Sequence, residues 1–343
     1  MTEPGKFTEQ EILSQPQAWS DAIQVFKTQQ DEIESFLKKT NYNQVLFTGC
    51  GSTYYLSLAA AALVQQMTGR LARGVPASEL WLNPYSYYLP DDKTLLVAVS
   101  RSGETTETLN ACKSFKSDKR GNLLTLSCYP DQPLAGIGDL NLVFPSGQER
   151  SIAQTRAFTS LYLAATGLAC MLAHQGETCR LMEKLPALGE KVLQLARPWG
   201  IRFGRDMQLD RFYFLGSGVR YGLACELSLK MKEMSLSHSE PFHFMEFRHG
   251  PKSMITASTL VIGLVSGKND SHEISVLREM SELGAGIFTL APEGGDIPIT
   301  TDLPEVLANV LYILPGQLLA FERSIARGLN PDEPHLLDAV VKL

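Results

Sequence analysis

Positive charge is in short supply in this 343-residue sequence: 31 Lys and Arg stand against 37 Asp and Glu, for a net charge of -6 and a pI near 5.6. Such a chain cannot neutralise a phosphate backbone over many contacts, which excludes non-specific nucleic-acid binding and leaves room for a local cationic pocket around one small anion. No basic segment followed by an apolar one opens the sequence, and no apolar run approaches the roughly 20 residues that span a bilayer, so a cytoplasmic, membrane-free protein is expected. The six cysteines, Cys50, Cys112, Cys128, Cys170, Cys179 and Cys225, contain no CxxC pair. That spacing fits neither a zinc site nor a disulfide framework and predicts reduced, buried small side chains. HxxxH and HExxH spacings are also absent, so neither a metal nor a cofactor is expected.

What is present reads as alternating helices and strands. Ile12, Trp19, Ile23, Phe26, Ile33 and Phe36 recur at helical spacing and predict a helical lead-in over 1–40, broken near Ser14 and Pro16. Val45 to Thr48 is an apolar strand entering Gly49-Cys50-Gly51-Ser52-Thr53 and a helix from Tyr55 to Met67. After a short polar, proline-containing connection, Leu95 to Val99 forms a second strand. It delivers Ser100-Arg101-Ser102-Gly103-Glu104-Thr105-Thr106 to the start of another helix. Hydroxyls from Ser100, Ser102 and Thr105, together with a helix N-terminus, make this a candidate anion site, although Ser and Thr also cap helices without any ligand. Strands over Asn122 to Ser127 and Leu140 to Phe144 precede Glu149 and an apolar helix from Thr155 to Leu172.

The second half repeats this order. Phe212 to Leu215 enters Gly216-Ser217-Gly218, Thr259 to Val265 enters Ser266-Gly267-Lys268-Asn269, and Gly286 to Ala291 matches Asn122 to Ser127. The nearly constant offset of about 165 residues marks an internal structural repeat. The predicted fold class is α/β, with two tandem doubly wound parallel-sheet, flavodoxin-like subdomains. The boundaries are 41–186 for the first, 187–200 for a linker, 201–328 for the second and 329–343 for a C-terminal tail. Because the second copy lacks the SxSGxTT content, one phosphate site per chain is expected.

Chemistry concentrates between Gly222 and Met254. On a predicted helix, Glu226, Lys230 and Glu233 are spaced by four and then three residues, placing one cation between two carboxylates on a single face. A polar loop follows with His238, Glu240, His243, Glu246 and His249, closed by Gly250-Pro251. A carboxylate and an imidazole on adjacent segments can move protons between carbon and oxygen near neutral pH. His238 and His243 read as structural hydrogen-bonding residues.

Four motifs, CGST at Cys50 to Thr53, SRSGET at Ser100 to Thr105, AQTRAFT at Ala153 to Thr159 and the Lys230/Glu233/His249 constellation, make the sequence resemble the sugar isomerase (SIS) family. Within it, the chain is similar to the isomerase domain of glucosamine-6-phosphate synthases and to stand-alone deaminase and deglycase relatives. The resemblance implies that Ser100, Ser102 and Thr105 hold a sugar phosphate, with Ser52, Thr53, Arg101, Ala153 and Gln154 around it. It further implies Glu233 as the base between C1 and C2, His249 as the ring opener, and Lys230 as a contact to the open-chain sugar or a support for Glu233. A homodimer is implied, with His249 reaching the neighbouring subunit's pocket. No glutaminase-like segment precedes these motifs, which sets the expectation against ammonia drawn from glutamine.

Arg101 and Gln154 depart from the family's usual Gln and Ser. Ala339 stands where the synthase tail carries a catalytic lysine five residues after a proline, here Pro334, and Lys342 comes three residues later. These departures, with the FRHGP spelling and the NPDE tail, direct expectation toward C–N cleavage. The leading reading is a glucosamine-6-phosphate deaminase/isomerase giving fructose 6-phosphate and ammonia. Its rivals are a fructosamine-6-phosphate deglycase, a plain aldose–ketose isomerase and a non-catalytic phosphosugar sensor. The sensor lacks a basic recognition helix.

Overall fold

Long apolar runs bounded by glycine turns become strands buried on both faces, as parallel sheets require. The computed structural model describes residues 3–89 and 91–341. Among the described residues ten strands form two sheets: β1 (Gln44–Gly49), β2 (Ala72–Pro76), β3 (Thr94–Ser100), β4 (Gly121–Ser127), β5 (Leu140–Val143), β6 (Arg211–Gly216), β7 (His238–Phe242), β8 (Thr259–Leu264), β9 (Gly286–Ala291) and β10 (Ile297–Pro298). The first sheet has the order β2-β1-β3-β4-β5 and the second β7-β6-β8-β9-β10, every pairing parallel. Each is the flavodoxin-like order, so the fold class and the repeat are as the sequence predicts. Every residue of β1, β3 and β8 is buried.

The chain divides into two compact units that interleave along the sequence. One, the first-sheet unit, comprises Gln15–Glu149, Arg156–Lys184 and the residues from Asp338 onward. The other, the second-sheet unit, holds the residues up to Ser14 with Arg150–Thr155 and Leu185–Leu337. Residues 187–200, read above as a linker, lie inside a continuous helix, Leu185–Gly204, that tolerates Pro198 in its interior. Proline costs a helix one backbone bond and some strain, and tertiary packing outweighs that propensity here.

Two strands lie where the sequence predicted connections. Residues 72–76, read as a polar connection, form β2, which pairs with β1 from Val45↔Ala72 to Gly49↔Pro76. Residues 238–242, read as part of a polar loop, form β7 beside β6. Both are edge strands, which need backbone pairing on one side and carry little apolar pattern; the edge position also accommodates Pro241.

The repeat extends to single backbone angles. Gly51, ahead of the Ser52–Thr68 helix, has φ 55° and ψ -124°; Gly218, ahead of the Val219–Ser235 helix, has φ 56° and ψ -126°. A Cβ at either would meet nothing within 4 Å, so backbone conformation rather than crowding demands glycine.

Candidate active site

In a doubly wound sheet the ligand cleft opens at the C-terminal strand ends where the order reverses, here between β1 and β3. β3 ends at buried Ser100, and the following turn is closed by its own hydroxyls: Ser100 Oγ accepts the Gly103 N–H at 3.1 Å and lies 3.4 Å from Thr105 Oγ1, while Ser102 Oγ accepts the Glu104 N–H at 3.3 Å. Gly103 takes φ 72° to make the bend. A hydroxyl oxygen that accepts from the loop keeps its own O–H to donate, so the turn can present donors to an anion at the start of the Thr106–Ser117 helix. At the end of β1, the Cys50 N–H donates to Thr53 Oγ1 at 2.9 Å, and Ser52 and Thr53 are both buried. The sequence-predicted cluster of Ser100, Ser102 and Thr105 is therefore assembled on one turn.

Arg101 takes a different course from its neighbours. Its buried guanidinium sits 3.4 Å from Glu149 Oε2 and donates to the Ala339 carbonyl at 3.0 Å. Glu149 in turn accepts the Ala157 N–H at 3.2 Å, which makes it a helix cap as well as a counter-ion. The tail residue Val341 lies with its carbonyl 3.5 Å from the Thr106 N–H. The tail thus meets the phosphate turn through main-chain oxygens. Lys342, three residues beyond Ala339, lies outside the described residues.

On the second-sheet unit, the Val219–Ser235 helix carries the predicted triad. Lys230 is fully buried; its Nζ lies 3.5 Å from Glu226 Oε1 and is hydrogen-bonded to Glu233. The Glu226 side chain has no exposure, whereas that of Glu233 keeps 20%. A buried ammonium between two carboxylates fixes their positions, and Glu233 is the member that solvent and small molecules reach. His249 follows the short Phe244–Phe247 helix, and its ring is exposed, without a hydrogen bond or ion pair to any described residue. His243 instead stacks on Tyr221 with ring centroids 3.8 Å apart, and burial lowers its pKa despite the neighbouring Glu246.

Ala153 and Gln154 belong to this same unit. Their segment is pinned by Glu11, which accepts the Arg150 N–H at 2.6 Å, by the Ile152 N–H bond to the Asp332 carbonyl at 3.0 Å, and by Gln317 on the Thr155 carbonyl at 3.2 Å. Ala153 is buried, and the buried side-chain oxygen of Gln154 has no partner among the described residues. An orphaned acceptor of this kind marks a place for a ligand or water.

The turn after β8, equivalent by the repeat to the phosphate turn, is filled from within. Glu273 accepts the Ser266 N–H at 2.6 Å, and Glu305, paired with Arg220 at 2.7 Å, accepts the Gly267 N–H at 3.1 Å. Protein carboxylates take the positions an anionic ligand would need. Sequence gave no sign of this plug, since Glu305 is distant in the chain and lies in no motif. Among the described residues no group of three or more His, Cys, Asp or Glu is arranged to hold a metal, and no helix is long and apolar enough to cross a membrane.

Comparison with known proteins agrees with this geometry. The SIS domain family matches residues 40–174 and 208–300. Among curated relatives, the glutamine–fructose-6-phosphate aminotransferase [isomerizing] of Thermococcus kodakarensis is 30% identical over 354 residues, covering 96% of this chain and 57% of its own length. The Pyrococcus horikoshii protein of the same name is likewise 30% identical, with 96% and 56% covered. The chain therefore spans somewhat over half the length of these relatives. Among solved structures, glucosamine-6-phosphate deaminase from Thermotoga maritima superposes with a TM-score of 0.85 at 29% identity, covering 98% of this chain and 100% of that one. The C-terminal domain of glucosamine-fructose-6-phosphate aminotransferase from Francisella tularensis shares the fold, with a TM-score of 0.83 at 24% identity and coverages of 96% and 98%. With two parallel sheets of flavodoxin-like order and a family match across both of them, this chain belongs to the SIS domain family.

Proposed function

We propose that the protein is a glucosamine-6-phosphate deaminase/isomerase, releasing fructose 6-phosphate and ammonia in the cytoplasm. The observation that carries this reading is the Val219–Ser235 helix: a partly exposed carboxylate, Glu233, held by the buried ammonium of Lys230. Ser100, Ser102 and Thr105 bind the 6-phosphate, and His249 opens the pyranose. Glu233 then takes the C2 proton of the open-chain aldehyde, giving an enaminol, and returns it to C1. The product is a 2-imino sugar; water adds to its C=N bond and ammonia leaves. Lys230, fully buried, acts as a positioning residue for Glu233. The exposed His249 serves the neighbouring subunit of a homodimer. Likeness to the Thermotoga maritima deaminase over the whole of both chains supports the assignment.

Ammonia and sugar product measured together on glucosamine 6-phosphate, galactosamine 6-phosphate and fructoselysine 6-phosphate test it. Ammonia from a hexosamine phosphate is expected. Free lysine from the third substrate would replace the reading by a deglycase, and isomerised sugar without ammonia by a plain isomerase. Glu233→Gln should abolish turnover and leave sugar-phosphate affinity within about threefold of the parent, because the base acts chiefly in the transition state; loss of both together overturns its role.

A further inference from the structure

The turn after β8 keeps the backbone geometry of the phosphate turn after β3. Ser266 Oγ accepts the Asn269 N–H at 3.1 Å, as Ser100 Oγ accepts the Gly103 N–H at 3.1 Å, and each turn opens a helix, Asp270–Glu282 here and Thr106–Ser117 there. It lies where the order of the second sheet reverses, between β6 and β8, the place at which a doubly wound sheet offers room to a ligand. The SxSGxTT hydroxyls are missing, and a guanidinium stands in for them. Arg220, in the first turn of the Val219–Ser235 helix, is 4% exposed and packs over the Tyr312 ring, 4.4 Å from its centroid.

The donors and acceptors of this turn are unequally served. Arg220 Nη1 and the Gly267 N–H both converge on a single oxygen, Glu305 Oε1, at 2.7 and 3.1 Å, while Nε and Nη2 of the same buried guanidinium have no hydrogen-bond partner among the described residues. On the adjoining amide, Glu273, 2% exposed, accepts the Ser266 N–H through Oε2 at 2.6 Å, and its Oε1 is likewise without a partner there. A guanidinium fork matches an oxyanion with several oxygens, and buried donors left unmade favour whatever group satisfies them. The Glu305 side chain keeps 40% exposure and stands on a four-residue helix, Glu305–Ala308, so of these three groups it is the one placed to swing out.

We propose that the turn after β8 is a second oxyanion site, for inorganic phosphate, in which Glu305 is the resident anion of the ligand-free chain and gives way to the ligand. One phosphate oxygen takes the position of Glu305 Oε1 between Arg220 Nη1 and the Gly267 N–H, and a second accepts from the unserved side of the same fork. Phosphate keeps a proton near neutral pH, and its O–H donates to Glu273 Oε1, which turns the buried carboxylate from a repulsion into a partner. Sulfate has no proton to give and meets Glu273 as a like charge, so the site selects phosphate. Burial of Ser266, Arg220 and Glu273 selects the free anion over a sugar ester, whose bulk would have to follow the phosphate inward.

Equilibrium dialysis of the whole chain against radiolabelled inorganic phosphate, with the phosphate bound per chain counted, tests this. Glu305→Ala should bind one phosphate more than Glu305→Ala combined with Arg220→Met, and should fill that extra site at least about tenfold more tightly than the parent does, because a competing like charge is gone. Taking the difference between chains keeps the count separate from any phosphate at the Ser100 turn, which all of them share. Unlabelled sulfate should compete for the extra site at least about tenfold more weakly than unlabelled phosphate. If the urea transition shows that Glu305→Ala does not fold, Glu305→Gln takes its place. An absence of extra phosphate in the Glu305 variant, an extra phosphate that survives Arg220→Met, or none in the parent at about a hundred times the concentration that fills the variant overturns the proposal. Sulfate competing as well as phosphate overturns the part given to Glu273.

Discussion

At the scale of single residues, the arrangement around Lys230 has a definite energetic signature. An ammonium with no exposure, flanked by the unexposed Glu226 side chain, is stable because each charge neutralises the other. Lys230→Ala strands a buried carboxylate and should lower unfolding free energy by about 3–5 kcal/mol in urea titration. Lys230→Met combined with Glu226→Gln should recover most of that loss, because the unexposed carboxylate is then gone and the remaining one, Glu233, keeps 20% exposure to water. A large deficit persisting in the double variant would mean that the pair organises the helix by more than charge. The triad was legible in sequence because three polar residues at helical spacing share one face. Its burial was not, since spacing gives the face and not what covers it. Arg101 was likewise readable as a cation on the phosphate turn, but not as a partner of Glu149 and the Ala339 carbonyl, which come from distant parts of the chain.

At the scale of elements, the turn after β8 shows how one copy of a repeated anion cradle is closed. Burial alone would raise the Glu305 carboxyl, but the Arg220 guanidinium, the Gly267 N–H and Lys268 together hold it below the usual range. A depressed carboxyl stabilises the fold above its unfolded pKa, near 4.3 for glutamate, and that contribution fades as pH falls through the folded value. Glu305→Gln should therefore shift the urea midpoint downward at pH 7, and the gap from the parent protein should close below about pH 4. A gap that stays constant with pH would assign the effect to packing. The central strands β1, β3, β6 and β8 were legible as apolar runs ending in glycine or serine turns. The edge strands β2 and β7 were not, because pairing through the backbone leaves little mark on side-chain pattern.

At the scale of the molecule, the repeat was the most readable property, since strand order, glycine positions and even the angles at Gly51 and Gly218 recur. The interleaved division into units was not, because short segments such as Arg150–Thr155 change sides without a change in composition. The proposed dimer, with Glu233 and His249 of one site on different subunits, can be checked by mixing. Glu233→Gln and His249→Ala chains, each inactive alone, should on random pairing regain roughly a quarter of wild-type activity, because each mixed dimer assembles one intact site. Mixtures that stay inactive after confirmed subunit exchange would place both groups on one chain.

The attachment of the tail to Arg101 bears on how this protein can change. The acceptor is the carbonyl of Ala339, an atom every amino acid supplies, so the anchor is indifferent to the side chain at that position. Residue 339 is exposed, and mutation can sample it without detaching the tail. A lysine could be introduced there, at the point where the synthase-like pattern has one, with the anchoring bond left intact. The main chain is held and the side chain is left free, and a position of that kind lets a lineage try new chemistry without first losing its structure.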